Sequence, residues 1–199
     1  MQCFLRIQLL LQGMAETKEN LRRQFLEKRD WLSADLIEIA SKQIRKNLGK
    51  VEPYRKARTV ACYHSTGSEV RTHEIMQEII SHGKILALPR VEGEKLEFYE
   101  VKKFEDLQKG EFGIMEPKQY CKSISDFDII IVPAVSMTRT GDRLGYGMGY
   151  YDKFLANKTN TTIALAYSKS IAKNIPRDDL DVKIDIVITE DEIIHSEKS

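Results

Sequence analysis

Ile129, Ile130, Ile131 and Val132 form an unbroken apolar run between Asp128 and Pro133. Successive side chains of a β-strand point to opposite faces. A strand that is apolar at every position therefore needs cover on both faces, as in the interior of a parallel sheet. Parallel neighbours must be joined by crossovers, usually helices. The run thus points to an α/β fold, provided that helical stretches surround it.

They do. From Thr17 onward, Leu21, Phe25, Leu26 and Leu32 share one helical face. Ser33 is the expected N-cap of a second helix with the stripe Leu36, Ile37, Ala40, Ile44 and Leu48; Gly49 and Pro53 mark its end. Residues 59–63 read as a strand ended by Ser-Thr-Gly. Thr72 is expected to cap a helix over 73–82 that buries Ile75, Met76, Ile79 and Ile80 and stops at Gly83. Residues 84–88 read as a second strand stopped by Pro89, 96–101 as a third, and 104–109 as a helical turn. Past the apolar run come a glycine-rich loop, a helix over 151–156, a strand over 162–167, and a last strand over 184–189. Strands alternating with helices predict one α/β sheet with right-handed crossovers, without repeat or linker.

Composition narrows the function. The 199 residues carry 31 Lys plus Arg against 30 Asp plus Glu, a net charge of +1. Such a balance argues against coating nucleic acid or an anionic membrane by bulk electrostatics. The charge is unevenly spread, however. Residues 14–58 hold 12 basic and 7 acidic side chains, and residues 176–199 hold 3 and 8. Two readings stay open: ordinary solvated surfaces, or two segments of opposite sign that meet at one ligand. Cys3, Cys62 and Cys121 are too scattered for a disulfide framework or a zinc site, and a reducing, cytoplasmic compartment fits them. No pair among His64, His73, His82 and His195 has metal-ligand spacing. Residues 1–13 (MQCFLRIQLLLQG) are too short to span a bilayer and lack the marks of a signal peptide. They are expected to be a non-structural extension, with Met14 a plausible start and 14–199 a single soluble domain.

The densest chemical signal is Gly141-Asp142-Arg143-Leu144-Gly145-Tyr146-Gly147-Met148-Gly149-Tyr150-Tyr151-Asp152. Alternating glycines let a backbone approach a ligand closely. A helix expected to start near Tyr150 would aim free N–H groups at a phosphate. Arg143 adds a bidentate donor, and Asp152 a carboxylate for a divalent cation. No stretch supplies the P-loop pattern GxxxxGK[ST], and the spacing here is GxGxG rather than the dinucleotide-binding GxGxxG. A surface loop that uses glycine only for its turns is the plainer reading.

The motif RLGYGMGYYDKFL (143–155) resembles the signature loop of the 5-formyltetrahydrofolate cyclo-ligase family, also called 5,10-methenyltetrahydrofolate synthetases. KENLR (18–22), SEVRT (68–72), LPR (88–90), GIMEP (113–117), DIIIVPAV (128–135) and the ending VKIDIVITED support the resemblance in order. The resemblance implies a three-layer α/β/α sandwich around a mostly parallel sheet, with the N-terminal helical hairpin packed on it. It implies ATP- and Mg²⁺-dependent closure of 5-formyltetrahydrofolate, with release of ADP and phosphate. ATP would be held by Lys18, Glu19, Asn20, Leu21 and Arg22 and by Arg143, Leu144, Gly145, Tyr146, Gly147, Met148, Gly149, Tyr150 and Tyr151. Residues 146–150 would also touch the folate, together with Glu69 and His64, and Asp152 and Asp181 would hold Mg²⁺. Arg143 would stabilise charge during phosphoryl transfer. Thr138 and Arg71 depart from the family pattern, which often has Asp at the first position and an acidic residue or Asn at the second.

Phosphoryl transfer asks a protein mainly for positioning and charge neutralisation, so the absence of a Ser-His-Asp or Cys-His constellation is consistent with this chemistry. The implied partners are two small molecules; neither nucleic acid nor membrane is expected, and the chain is expected to act as a monomer. The rival from another class is a non-catalytic nucleotide- or RNA-binding regulatory module using the basic 14–58 segment. It lacks interleaved aromatics, since Phe25, Trp31 and Tyr54 are isolated.

Overall fold

The first two helices begin where a hydroxyl can satisfy a free N–H of the first turn. In the computed structural model, which describes residues 17–110 and 113–196, helix α1 spans Lys18–Asp30. The expected extension 1–13 lies outside the described residues. Thr17 Oγ1 accepts from the Asn20 N–H, and Ser33 Oγ accepts from the Leu36 N–H at the start of α2, Ala34–Leu48. The buried face of α2 is Ile37, Ser41, Ile44, Asn47 and Leu48. Leu36, expected in this stripe, is 52% exposed. Each residue advances the helix by about 100°, which carries position 36 off the face that 37, 44 and 48 share. Asn47 takes an inward place because its Nδ2 donates to the carbonyls of Thr189 and Glu190, at 2.9 and 3.3 Å. Pro53 does more than end α2: it sits in the first turn of a short helix α3, Glu52–Lys56, where its missing N–H costs nothing.

The remaining elements are β1 (Thr59–Ala61), α4 (His73–Ser81), β2 (Ile85–Glu92), β3 (Lys95–Val101), β4 (Leu107–Lys109), β5 (Met115–Pro117), β6 (Ser123–Ile124), β7 (Ile129–Val132), β8 (Ser136–Met137), β9 (Arg143–Leu144), α5 (Tyr150–Leu155), β10 (Thr161–Leu165), β11 (Ile186–Ile188) and β12 (Ile193–His195). The main sheet has the order β12-β11-β10-β7-β1-β2-β3-β6. Strands β11, β10, β7, β1 and β2 run parallel, and antiparallel strands close both margins.

Three sequence expectations need correction. Pro89 does not stop β2: the strand runs on to Glu92, with Pro89 opposite Phe98. Its pairing with β1 ends at Ala87, so from there one side lacks a ladder and a proline is tolerated. The strand near 184–189 is not the last, because β12 folds back on β11. The turn at 104–109 is a 3₁₀ turn only at Phe104–Asp106 and then becomes β4. In addition, Thr72 occupies the N-cap of α4 without capping it, because its hydroxyl donates to the Tyr63 carbonyl at 2.7 Å.

The apolar run at 129–132 is covered on both faces. Ile129 and Ile131 pack in one cluster with Val60, Leu86 and Ile163 and with Ile44, Leu48, Ile75 and Ile79 of α2 and α4. Ile130 and Val132 pack in the other with Ala61, Ala87, Ala164, Phe98, Phe127 and Leu155. Helix α1 joins neither: Leu21 and Phe25 cluster with Val135, Leu144, Ala172 and Ile175. Among the described residues no helix is long and apolar enough to cross a membrane.

Asp128 directly precedes β7, and its Oδ2 accepts the N–H groups of Arg58 and Thr59, at 2.7 and 2.9 Å. These N–H groups hold its carboxyl below the usual aspartate range. A depressed pKa contributes stability that is present above the unfolded value and lost as pH falls through the folded one. Asp128→Ala is therefore expected to lower the midpoint of urea unfolding at pH 7, and the deficit should narrow below about pH 4. A deficit independent of pH would mean that the ionised carboxylate is not what holds β1 to β7.

Candidate active site

Because β1 and β7 are parallel neighbours, the loops that follow them emerge at the same end of the sheet. That end is where open α/β sheets bind ligands. The loop after β1 carries Ser65 to Thr72; the segment after β7 carries the β8–β9 hairpin and the glycine loop. Helix α1 lies against the latter through Leu21, Phe25 and Leu144.

Two guanidinium groups pack on the backbone of the glycine loop. Arg22 Nε donates to the Gly145 carbonyl at 2.8 Å. Arg143, with 4% of its side chain exposed, donates to the Pro133 carbonyl at 3.2 Å and to Asp152 Oδ1 at 2.8 Å. Its Nε is buried without a partner. A Cβ on Gly145 would lie 2.8 Å from Arg143 Nη1, and one on Gly147 (φ +100°) would lie 3.3 Å from the Arg22 guanidinium carbon. The glycine spacing thus admits cations against the backbone, and the loop is more than a set of turns. Helix α5 does begin at Tyr150, but it has six residues and its N-cap, Gly149, offers no side-chain cap. Fixed positive charge at this loop comes chiefly from Arg22 and Arg143.

The exposed tip of the loop is Tyr146, Gly147 and Met148. Tyr146 is 44% exposed, while its hydroxyl reaches inward, donating to Glu69 Oε1 and accepting from Arg29 Nη2. Glu69 Oε2 accepts from the Thr66 N–H at 2.7 Å. Burial pushes the Glu69 carboxyl above its ordinary value, and the bonds from Tyr146 and Thr66 only partly offset this. Burial likewise pushes the phenols of Tyr146 and Tyr151 upward, and the Tyr151 hydroxyl has no partner.

Lys18 and Asp181 meet each other. Lys18 Nζ lies 2.6 Å from Asp178 and 2.5 Å from Asp181, joining chain positions 163 residues apart. The basic N-terminal and acidic C-terminal segments therefore do converge. Burial works against the Lys18 ammonium, but its two carboxylate partners outweigh this and hold its pKa above the usual lysine value. Burial opposes the Asp181 carboxylate too, and the bonds from Lys18 and the Asp178 N–H outweigh it, keeping the pKa low. The two proposed metal ligands are thus divided between two ion pairs, Asp152 with Arg143 and Asp181 with Lys18. Among the described residues no group of three or more His, Cys, Asp or Glu gathers as a ready cation cage. Mg²⁺ carried in by phosphates needs only one or two protein carboxylates. Asp178 and Asp181, which already share one cation, supply such a pair of carboxylates.

The other sequence candidates are distributed around this site. Glu19 and Asn20 are exposed on α1, and Leu21 and Leu144 are buried behind the loop. Tyr150 is partly buried beside the second core cluster. His64 packs edge-on against His73 at 4.4 Å between ring centres, and burial and then His73 lower its pKa. Thr138 donates to Asp142 Oδ2, and Arg71 Nη1 bonds the Gly67 carbonyl. Sequence reasoning missed Arg29 and Asp178. A signal for Arg29 existed: it continues the buried i, i+4 stripe of Leu21 and Phe25, where a charge is unexpected. Asp178 had none beyond belonging to an acidic run.

A family model described as the 5-formyltetrahydrofolate cyclo-ligase family matches residues 14–190. A 5-formyltetrahydrofolate cyclo-ligase of Mus musculus is 30% identical over 89% of this chain and 91% of its own. One of Saccharomyces cerevisiae is 28% identical over 90% of this chain and 98% of its own. The solved structure of a 5,10-methenyltetrahydrofolate synthetase from Aquifex aeolicus is similar at a TM-score of 0.82, with 33% identity over 92% of this chain and 94% of that one.

Proposed function

Because the chain belongs to the 5-formyltetrahydrofolate cyclo-ligase family, we propose that it converts 5-formyltetrahydrofolate and ATP into 5,10-methenyltetrahydrofolate, ADP and phosphate. The observation that carries this reading is the junction of a cation-lined glycine loop, through the Tyr146 hydroxyl, with the buried Glu69 carboxylate. One side suits phosphates and the other a polar heterocycle.

A formamide oxygen is a poor leaving group. In the proposed reaction it attacks the γ-phosphorus, and the bond to ADP breaks. The folate N10 then attacks the formyl carbon and gives up its proton, and the oxygen departs with phosphate. Arg22 and Arg143 supply positive charge where the γ-phosphoryl group passes, as phosphoryl transfer requires. Lys18 exchanges an Asp partner for phosphate, and Asp181 with Asp178 would hold Mg²⁺, which neutralises phosphate charge when bound. Glu69 and Tyr146 orient the pterin side, with His64 just ahead of the loop that carries Glu69. The loop from Arg143 to Tyr151 wraps the nucleotide.

With purified protein, 5-formyltetrahydrofolate and Mg-ATP, the absorbance of methenyltetrahydrofolate should rise in step with ADP release. Omission of either substrate should abolish the rise. Absence of product from folded protein would overturn the reading.

A further inference from the structure

Two arginines of helix α1 hydrogen-bond to the glycine loop. Arg22 and Arg29 are seven residues apart, about two helical turns, and so project from the same side. Arg22 holds the loop at the Gly145 carbonyl, and Arg29 holds it at the Tyr146 hydroxyl, 2.9 Å from Nη2. Arg29 is buried, 7% exposed. Its Nε donates to Ser68 Oγ at 3.0 Å, beside Glu69, and its Nη1 to the Ala134 carbonyl at 3.4 Å, just past β7. One guanidinium thus binds the β1–α4 loop, the end of β7 and the glycine loop at once.

We propose that Arg29 is a positioning residue that couples nucleotide binding at the glycine loop to folate binding at Glu69. This rests on the proposed reaction for the identity of the two ligands. A guanidinium can only donate, so the Tyr146 oxygen must accept from Arg29. The phenolic proton is thereby directed to Glu69, as the geometry shows. Tyr146 is fixed as a donor to that carboxylate, and the tip of the loop cannot shift without disturbing Glu69. Stranding a buried guanidinium is costly, so its three partners behave as one unit. A nucleotide that orders the loop therefore also orders the carboxylate on the folate side.

The test is a binding cycle on the full chain. The Kd of 5-formyltetrahydrofolate is measured with and without saturating Mg²⁺ and a non-hydrolysable ATP analogue. Wild-type protein is expected to bind the folate at least about 5-fold more tightly with the analogue present, the lower range of typical coupling between sites. In Arg29→Met the ratio should fall to near one. Tyr146→Phe, which keeps the ring and removes the shared oxygen, should do the same and serves if Arg29→Met fails to fold. A merely structural Arg29 would weaken both Kd values and leave their ratio intact, and that result overturns the proposal. So does a ratio of one in the wild type. Wild-type protein that fails to bind either ligand overturns the proposed reaction itself.

Discussion

Arg143→Ala is expected to lower kcat for methenyltetrahydrofolate formation by about 10²- to 10³-fold, the usual loss when a fixed donor to developing charge is removed. The guanidinium lies directly beneath Gly145, and its Nε is buried without a partner. A buried cation with a spare donor favours negative charge in the loop above it. The fall should appear mainly in kcat, because the charge counts most where the γ-phosphoryl group is in transit. Stability should suffer less than for a closed buried pair, because the partner Asp152 keeps 22% of its side chain exposed and water can replace the arginine. Arg143→Lys retains the charge but loses the fork that spans Pro133 and Asp152, and it should lie between alanine and wild type. Steady-state kinetics with a thermal melt of each variant separates the effects. Unchanged turnover in a folded alanine variant would remove Arg143 from the site.

The second large effect concerns the strand with which the sequence argument began. Ile130→Ala and Ile131→Ala should each cost about 2–5 kcal/mol in denaturant unfolding, the range for large-to-small changes in a packed core. Both residues are fully buried, at 0% exposure, and they sit in different clusters on opposite faces of β7. In a sheet with one wet face, neighbouring positions alternate between costly and tolerated. Comparable losses at adjacent positions are the signature of cover on both sides. A loss of less than about 1 kcal/mol at one of them, typical of surface changes, would show that its face is not closed.

The two faces also explain which parts of the chain were legible. Strands at 59–63, 128–133, 162–167 and 184–189 announced themselves by apolar and β-branched runs, and the structure contains all four with ends shifted by up to two residues. The cap at Ser33 and the inward set Ile75, Met76 and Ile79 obey local rules, so local reading sufficed. The short strands β4, β5, β6, β8, β9 and β12 were not read. Two or three residues carry too little periodicity, and such strands exist because a neighbour is present to pair with. Pro89 misled for the same reason: whether a proline ends a strand depends on which side of it has a partner. Leu36 misled because an apolar residue at the margin of a helical stripe can stay in water at little cost.

At the site, the glycine loop and its arginine were conspicuous because residue type alone constrains their chemistry. Lys18 and Asp181 were named, yet nothing local says that they pair across 163 positions, with Asp178 as a third member. Arg29 went unread because a charge on a helix is ordinarily solvent-facing. By itself the sequence determined the parallel core, the helices that cover it and the loop rich in glycine and arginine, since all three follow from residue type and short-range spacing. Only the tertiary structure decided which charge meets which: Arg29 and Glu69 on one phenol, Lys18 between two aspartates, Arg143 on Asp152. Ion pairs carry no periodicity, and their partners are set by how strands far apart in the chain place their loops at one end of the sheet.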